Sequence, residues 1–370
     1  MLKRPFGTNF IGLTDSPADY IGETLKGARV NAAEDALEFA AVAGERTYPH
    51  SVNYVLFSGN CPTVFTDLDC TEDEGAIPTG VIGPAWVLLK VKNTAAGAAY
   101  AFKEKGETDV MPNPGNPTLT TLPGVGGILP ANYTIVPTDS DGKIQWLGDV
   151  AQNTVITLLR YWNSVSAPKA VIFNGDASDT WRPLNTGVPN ALVIIKLKGI
   201  TAVTYKVRMR GEAVNCGLAG VTYVNITGVN YFGYMIVPTD SAGYIEYWGG
   251  HVTTATCEIT LHSYILGCSF PNQSIANTKS ANINTWVDVP TPFPNAVLFM
   301  AQYPQEAGFG DIAMRLNGDA DRFNYDGGTQ FDATFALTYG VIITDGNGVF
   351  EFADQNILTH LVAKCVSQGV

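Results

Sequence analysis

The stretch that decides the fold is IVPTDSDGKIQW, residues 135–146. It returns as IVPTDSAGYIEY at residues 236–247 and, in a looser form, as VIITDGNGVFEF at residues 341–352. The matched glycines Gly142, Gly243 and Gly348 lie 101 and 105 residues apart. A repeat of this length indicates three tandem copies of one unit, because about 100 residues suffice to enclose a core.

Two further motifs return in the same order and at a similar period. PAWVLL at residues 84–89, PNALVI at 189–194 and PNAVLF at 294–299 begin with prolines that lie 105 residues apart each time. YAFKEKG at 100–106, YKVRMRG at 205–211 and IAMRLNG at 312–318 each end on a glycine. Each copy then closes on an apolar run, at residues 155–158, 258–261 and 357–360.

The residue pattern within these motifs is that of β-strands joined by tight turns. From Tyr205 to Arg210, apolar and basic side chains alternate as in an antiparallel strand with one buried face. The turn Asp139–Gly142 suits a hairpin, because glycine readily adopts a positive φ. About seven or eight strands per copy predict an all-β fold with three tandem β-sandwich, jelly-roll-like domains after an extended N-terminal arm.

The predicted boundaries are residues 1–48 for the N-terminal docking or oligomerisation arm and 49–165, 166–267 and 268–370 for the three sandwich repeats. The connections between repeats, at residues 163–168 and 267–272, are too short for free tumbling. We therefore expect the sandwiches to form a fairly stiff rod or stack.

Charge and hydropathy exclude several classes of protein. The chain has 22 basic and 34 acidic residues and a formal charge of −12, which would repel a phosphate backbone, so we expect no nucleic-acid partner. Since no run approaches the roughly 18 apolar residues of a membrane helix, we expect no membrane insertion. The start, MLKRPFG, lacks the apolar stretch of a secretory signal and predicts synthesis in a cytoplasm.

Residues 1–48 differ from the repeats, because their apolar side chains are scattered and too few together to close a core. Such a segment must bury them on the first sandwich, on a sister subunit or on another protein. A loosely ordered tail is the alternative. The side chains expected to dock are Phe10, Leu13, Pro17, Tyr20, Val30, Leu37 and Phe39.

Part of this arm resembles a module of tailed-bacteriophage structural proteins, especially fibres and other virion appendages. The matching residues are LTDSP at 13–17, Tyr20, Gly22, VN at 30–31 and LEF at 37–39, whereas KGAR at 26–29 departs from the pattern. In that family the module commonly occurs in trimeric assemblies near an attachment end. The resemblance therefore implies a homotrimer located in a virion.

Residues that could carry chemistry are sparse. The histidines show no HxH or HExxH spacing, so no zinc site and no catalytic triad is predicted. Asp139, Asp141, Asp240 and Asp345 fit turn chemistry, with a calcium ion at Asp139 and Asp141 or in the acidic loop 67–74 as the alternative. The six cysteines are expected to be reduced thiols, with Cys61–Cys70 and Cys257–Cys268 bridges as the alternative. The sequence thus predicts no catalytic, cofactor or metal site.

Aromatic residues are the remaining candidates for binding. Clustered rings with polar neighbours can stack on sugars, although core packing explains most of them equally well. The candidate glycan contacts are Tyr231, Tyr234, Tyr247 and Trp248.

These features favour a structural protein of a bacteriophage virion, assembled in the host cytoplasm, and not an enzyme. The leading hypothesis is a trimeric fibre or spike-like appendage that binds other virion proteins of the capsid or tail and contacts a host surface glycan. One alternative is a capsid decoration or cement protein anchored by its N-terminal arm. The other is a glycan-binding or glycan-cleaving β-sandwich protein.

Overall fold

The computed structural model describes residues 26–30, 37–41, 49–93, 100–111, 130–148, 153–163, 165–199, 203–212, 223–226, 231–250, 256–281, 285–304, 312–323, 338–354 and 358–368. Every regular element in these ranges is a β-strand, and none of them contains a helix able to cross a membrane. The chain divides into two compact units, Met1–Arg46 and Thr47–Val370.

The first unit contains one antiparallel hairpin, formed by β1 (Lys26–Val30) and β2 (Leu37–Ala41). In its register, Val30 lies opposite Leu37, and Ala28 lies opposite Phe39. The remaining residues of the predicted docking arm, Phe10, Leu13, Pro17 and Tyr20, fall outside the described residues.

The strands of the second unit fall into three consecutive groups, which we call rolls 1, 2 and 3. Roll 1 contains β3 (His50–Asn60), β4 (Thr66–Asp69), β5 (Trp86–Asn93), β6 (Tyr100–Glu104), β7 (Pro130–Pro137), β8 (Lys143–Gly148) and β9 (Asn153–Trp162). Roll 2 contains β10 (Ala170–Asp176), β11 (Arg182–Asn185), β12 (Leu192–Gly199), β13 (Val203–Met209), β14 (Tyr223–Ile226), β15 (Tyr231–Pro238), β16 (Tyr244–Gly249) and β17 (Thr256–Ile265). Roll 3 contains β18 (Gln273–Thr278), β19 (Val287–Pro290), β20 (Ala296–Pro304), β21 (Ile312–Leu316), β22 (Arg322–Phe323), β23 (Thr338–Ile343), β24 (Val349–Asp354) and β25 (Thr359–Gln368).

Each roll is a sandwich of two sheets with jelly-roll strand order. In roll 2 one sheet runs β10-β17-β12-β15, and we call it and its equivalents the inner sheets. The other sheet runs β11-β16-β13-β14, and we call it and its equivalents the outer sheets. Numbered within the roll, these orders are 1-8-3-6 and 2-7-4-5, the arrangement of a jelly roll. Rolls 1 and 3 have inner sheets β3-β9-β5-β7 and β18-β25-β20-β23, with outer sheets β4-β8-β6 and β19-β24-β21. The predicted all-β fold with three tandem sandwiches is confirmed.

The repeated turn motif has the same hydrogen bonds in every roll. The Asp139 Oδ1 atom accepts the N–H groups of Asp141 and Lys143, and Asp240 and Asp345 do the same for the matching residues of rolls 2 and 3. The aspartates therefore hold the turn, as the sequence predicts.

The hydrogen bonds of the threonine before each aspartate show which residues of the three rolls are equivalent, and they change the sequence alignment. The hydroxyl oxygens of Thr138, Thr239 and Thr344 accept the N–H groups of Ala85, Ala191 and Ala296, at 2.9, 3.0 and 2.9 Å. These alanines are therefore equivalent, so Pro84 corresponds to Asn190 and not to Pro189. The proline spacing of 105 residues was misaligned by one residue in the first copy.

The central strands of the inner sheets are buried on both faces. In β5, Val87 and Leu89 point into the core of roll 1, whereas Trp86 and Leu88 point to the opposite side. Strands β12 and β20 repeat this alternation. This double burial explains why these strands are continuous apolar runs and not alternating ones.

The second faces of the three inner sheets meet in one hydrophobic cluster, which we call the shared core. It includes Trp86 of roll 1, Ile194 and Phe232 of roll 2, and Phe299 and Tyr339 of roll 3. The expected rod or stack, with the rolls joined end to end, is therefore wrong. In a rod these apolar faces would remain exposed to water, and packing the rolls around one core removes them from it.

Candidate functional site: the ring of contacts between rolls

An acidic residue stands at the same place in each roll, just after the glycine that follows β6, β13 or β21. These residues are Glu107, Glu212 and Asp319. The N–H group of each donates to the carbonyl three residues earlier, so all three close the same turn. The turn directs each carboxylate away from its own roll and towards the next one.

Each of these carboxylates binds a lysine of the following roll. The pairs are Glu107–Lys196 at 2.7 Å, Glu212–Lys364 at 2.6 Å and Asp319–Lys90 at 2.6 Å. They run from roll 1 to roll 2, from roll 2 to roll 3 and from roll 3 back to roll 1. The three rolls therefore form a closed ring with pseudo-threefold symmetry, built from one head-to-tail type of interface.

A second carboxylate strengthens two of these interfaces. Asp109 binds Lys196 and Lys198, both at 2.6 Å, and the equivalent Asp321 binds Lys90 at 2.6 Å and also Lys92. Burial alone would raise the pKa of each aspartate, but the lysines outweigh it and hold the pKa below its ordinary value. Both carboxylates are therefore charged at neutral pH.

The chain after these acidic residues also extends the inner sheet of the next roll. The Phe232 N–H group donates to the Val110 carbonyl at 3.0 Å, beside β15 of roll 2. In the equivalent interface, β22 of roll 3 pairs in parallel with β7 of roll 1. A backbone contact at a sheet edge covers donors and acceptors that would otherwise invite pairing with other chains.

The interface between rolls 2 and 3 uses a different lysine. Ala301 occupies the position of Lys90 and Lys196, so β20 offers no cation there. Lys364 instead reaches Glu212 from a β-bulge in β25. The equivalent bulge residues are Leu159 in roll 1 and His262 in roll 2, so each interface has its own chemistry at this position.

His262 connects rolls 1 and 2 in a fully buried arrangement. Its Nε2 atom lies 2.9 Å from Glu104 Oε2, and its Nδ1 atom lies 3.1 Å from Ser263 Oγ. Burial acts to raise the pKa of Glu104, but hydrogen bonds with His262 and Lys169 outweigh it and the pKa is lowered. The hydrogen-bonded chain from Ser263 through His262 to the Glu104 carboxylate resembles a catalytic triad.

Accessibility argues against that catalytic interpretation. Ser263 and His262 are 1% and 2% exposed, and the Ser263 oxygen already accepts the indole N–H group of Trp86 at 2.8 Å. A substrate has no path to this serine, so the group holds two rolls together. Trp162 of the neighbouring strand β9 donates its indole N–H group to Ser367 of roll 3 at 3.0 Å.

The candidate glycan contacts are not brought together. Tyr234 lies in the shared core and Tyr247 in the interior of roll 2, each 1% exposed, so neither ring can stack on a sugar in this structure. Tyr231 is half-buried against the roll 2 core. Trp248 is half-buried on the outer sheet, with the Lys206 ammonium 5.0 Å from its ring centre.

The other residues considered for chemistry have structural surroundings. His50 stacks on Tyr161, and His360 Nε2 lies 2.8 Å from Ser274 Oγ, whereas His251 falls outside the described residues. No group of three or more metal-ligating side chains capable of holding an ion occurs in the described ranges.

The described cysteines are thiols, not disulfides. They are Cys61, Cys70, Cys257, Cys268 and Cys365, whereas Cys216 lies outside the described ranges. Burial, with a smaller effect of Asp176, raises the pKa of Cys257 to about 12, so its sulfur stays protonated and unreactive at neutral pH. None of these five residues forms a disulfide in the structure.

The interface residues were missed at the sequence level, although a signal was present. The motif ending at Gly106, Gly211 and Gly318 is followed each time by an acidic residue. Lysines two residues apart also follow the apolar run of β5 and β12. Opposite charges at a fixed period in tandem repeats indicate contacts from one repeat to the next.

Comparison with known proteins gives structural likenesses alone. No family model matches the chain, and no curated protein matches it. A structure described as "Crystal Structure of the STIV MCP" is 12% identical, with a TM-score of 0.20, and the match covers 60% of this chain and 97% of that one.

Two further structures cover 88% of this chain and 91% of theirs. The atomic structure of Sulfolobus Turreted Icosahedral Virus is 10% identical, and "The Triple Jelly Roll Fold and Turret Assembly in an Archaeal Virus" is 9% identical. Both have TM-scores of 0.20. None of the three is described as an appendage of a tailed phage, and at such scores the function must be argued from this chain itself.

Proposed function

We propose that this chain is a structural protein of a virion, in which three fused jelly rolls form one ready-made pseudo-threefold building block. The observation that supports the proposal most is the closed ring Glu107–Lys196, Glu212–Lys364 and Asp319–Lys90. A ring of this kind does inside one chain what a homotrimer of single rolls does with three. Its order is fixed by covalent connection, which suits a component that must enter a shell in one orientation.

A compact block favours a place in the shell or at a vertex over the shaft of a fibre. The shared core draws the rolls together and removes the end-to-end arrangement that a shaft needs. The capsid decoration role is therefore preferred to the fibre or spike. The predicted homotrimer remains a proposal, and it would place three such blocks around a true threefold axis.

The arm of residues 1–48 is proposed to dock on another virion protein or on a second copy of this chain. Its support is the set of scattered apolar side chains in this segment, in which Met1–Arg46 forms a compact unit of its own. Of the four candidate residues, glycan binding is proposed for Tyr231 and Trp248 alone, because their rings are not fully buried.

The experiment that tests this function is labelling of intact particles. Antibodies raised against the purified chain are expected to decorate virus particles from the source at regularly spaced positions, as seen by electron microscopy. A chain that is absent from purified particles by both labelling and mass spectrometry would refute the proposal.

A further inference from the structure

The loop between β4 and β5 of roll 1 breaks the pseudo-threefold symmetry. It runs from Cys70 to Ala85, whereas the matching connections of rolls 2 and 3 run from Thr186 to Ala191 and from Thr291 to Asn295. Roll 1 therefore carries an additional segment of about ten residues within residues 71–82, which we call the roll 1 loop.

This loop is held rigidly by hydrogen bonds. Within it, Asp73 Oδ1 accepts the N–H groups of Gly75 and Ile77, and the Asp73 and Ile77 backbones also pair. Its base is fixed by bonds from Thr79 to the Thr71 and Cys70 carbonyls. A segment tied in this way presents its side chains in one arrangement, which lowers the entropy cost of binding.

The rigid loop exposes two large aliphatic side chains. Ile77 is 54% exposed and Ile82 is 69% exposed, in a sequence that also displays Glu72 and Glu74 to solvent. Val81, which lies between them in the sequence, is buried in the roll 1 core and anchors the loop. Apolar side chains presented on a fixed frame and surrounded by charge are typical of protein contact surfaces.

A complementary surface is present on roll 2 of the same chain. The outer sheet strands β11, β13 and β16 contain three basic residues, Arg182, Lys206 and Arg208, against one acidic residue, Glu246. The outer strands of rolls 1 and 3 contain more acidic than basic residues. Arg208 is only 8% exposed and pairs with Glu246 at 2.7 Å. In a chain of charge −12, Arg182 and Lys206 therefore supply the positive charge that this sheet presents.

Aromatic rings accompany this positive charge. Trp248 and Tyr244 are half-buried on the outer sheet, with cations over their rings: Lys206 at 5.0 Å from the Trp248 ring centre and Arg210 at 4.3 Å from that of Tyr244. Aromatic rings flanked by basic groups can receive an aliphatic side chain and its acidic neighbours.

We infer that the roll 1 loop of one copy docks on the outer sheet of roll 2 of a second copy. The isoleucines contact the aromatic rings, and Glu72 and Glu74 lie against Arg182 and Lys206. Such a contact is heterologous, so each copy keeps one loop and one sheet available and copies can extend into a ring or a lattice. This inference rests on the proposed function in one respect, since a shell component must contact its neighbours.

The contact area is small, so single contacts are expected to be weak and concentration-dependent. The test is sedimentation equilibrium of the full chain at increasing concentration. The wild type is expected to associate, and added salt is expected to weaken the association because of the charges involved. A wild type that remains monomeric at all accessible concentrations would overturn the inference.

The apolar part is tested with Ile77→Ser combined with Ile82→Ser, which should raise the dissociation constant at least tenfold. The matched control is Val64→Ser, because Val64 is also 69% exposed but lies in the loop between β3 and β4. The control should associate as the wild type does. Unchanged association of the double isoleucine variant would refute the docking of this loop.

The choice of partner surface is tested by charge reversal. The variant Glu72→Lys with Glu74→Lys and the variant Arg182→Glu with Lys206→Glu should each fail to self-associate, with unchanged circular dichroism spectra showing intact folding. A mixture of the two should associate, because the reversed loop then meets the reversed sheet. Failure of the mixture to associate would rule out roll 2 as the partner. Particle labelling is independent of these results, so this contact and the virion role can fail separately.

Discussion

Lys90 Nζ lies 2.6 Å from Asp319 Oδ2, although 229 residues separate them in the sequence. This ion pair joins the first roll to the last and closes a ring that the order of the chain leaves open. A closed ring has no unpaired interface of this type left over, so the block cannot polymerise through these contacts. Any assembly of copies must use other surfaces.

Removal of a ring lysine should destabilise the whole block. Lys196→Ala leaves Glu107 and Asp109 without their main partner in a largely buried interface, and should cost about 2–4 kcal/mol. The matched control is Lys105→Ala, whose pair with Asp67 is more exposed and should cost less than about 1 kcal/mol. Urea unfolding measures the free energy of unfolding of both variants. Equal decreases in the two variants would contradict the structural role of the ring.

Truncation of a side chain in the shared core should destabilise every roll. Phe299 is 1% exposed and stacks on Tyr339 with ring centres 5.1 Å apart, so Phe299→Ala should cost about 3–5 kcal/mol. Because roll 3 shares this core with roll 1, amide exchange in β5 should accelerate as well. Exchange that increases in roll 3 alone would show that the rolls are independent.

Acid should loosen the interfaces of roll 1 with both neighbours. The lysines lower the pKa of Asp109 and Asp321 below the ordinary value of 3.8, so the unfolded chain binds protons more readily than the folded one. Their contribution is thus complete above about pH 5 and is lost as the pH falls through the folded pKa values. Unfolding free energies measured from pH 7 to pH 3 should show this loss.

The control for this pH dependence is Asp109→Asn, which removes one of the two titrating groups. It should be less stable than the wild type at pH 7 and should lose less stability on acidification. An acid dependence identical to that of the wild type would mean that Asp109 does not contribute.

Two glycines with positive φ should respond differently to alanine. Gly348 has a φ of 79°, and an added Cβ would lie 2.5 Å from the Thr291 carbonyl oxygen, so the backbone must shift. Gly211 has a φ of 88° with nothing within 4 Å, so Gly211→Ala should cost the conformational penalty alone, about 1–2 kcal/mol. In thermal unfolding, the melting temperature of Gly348→Ala should be clearly lower than that of Gly211→Ala. The reverse order would contradict the packing of the turn at Gly348.

The sequence was sufficient to predict the fold class, because the repeat and its turn chemistry are local. Asp139 and Gly142 specify a hairpin through their own hydrogen bonds and φ, and the same pair recurs in each roll. The alternation in β13 likewise requires no knowledge of distant residues. Three sandwiches follow from these patterns and the repeat length.

The arrangement of the rolls depends on contacts between residues far apart in sequence, which short linkers do not reveal. The continuous apolar runs of β5 and β12 did indicate this arrangement. A strand that is apolar on both faces must be packed against other residues on both faces. Trp86 and Ile194 both lie in the shared core, and a rod would leave both exposed.

Local sequence patterns could not predict the burial of the candidate glycan contacts either. In β15, Tyr231 and Tyr234 are three residues apart and therefore face opposite sides of the strand. Tyr234 faces the shared core because another roll covers that side. Tertiary packing decides between surface and core for such rings, and the sequence offers no local sign of it.

The closed ring is tested most directly by zero-length carbodiimide cross-linking of the purified monomeric chain, followed by mass spectrometry of the peptides. A carboxylate and a lysine are joined by this reagent only when they are in contact. The structure predicts a link between Lys90 and Asp319 along with links from Lys196 to Glu107 or Asp109 and from Lys364 to Glu212. Links between neighbouring rolls with none between rolls 1 and 3 would contradict the ring and restore the rod.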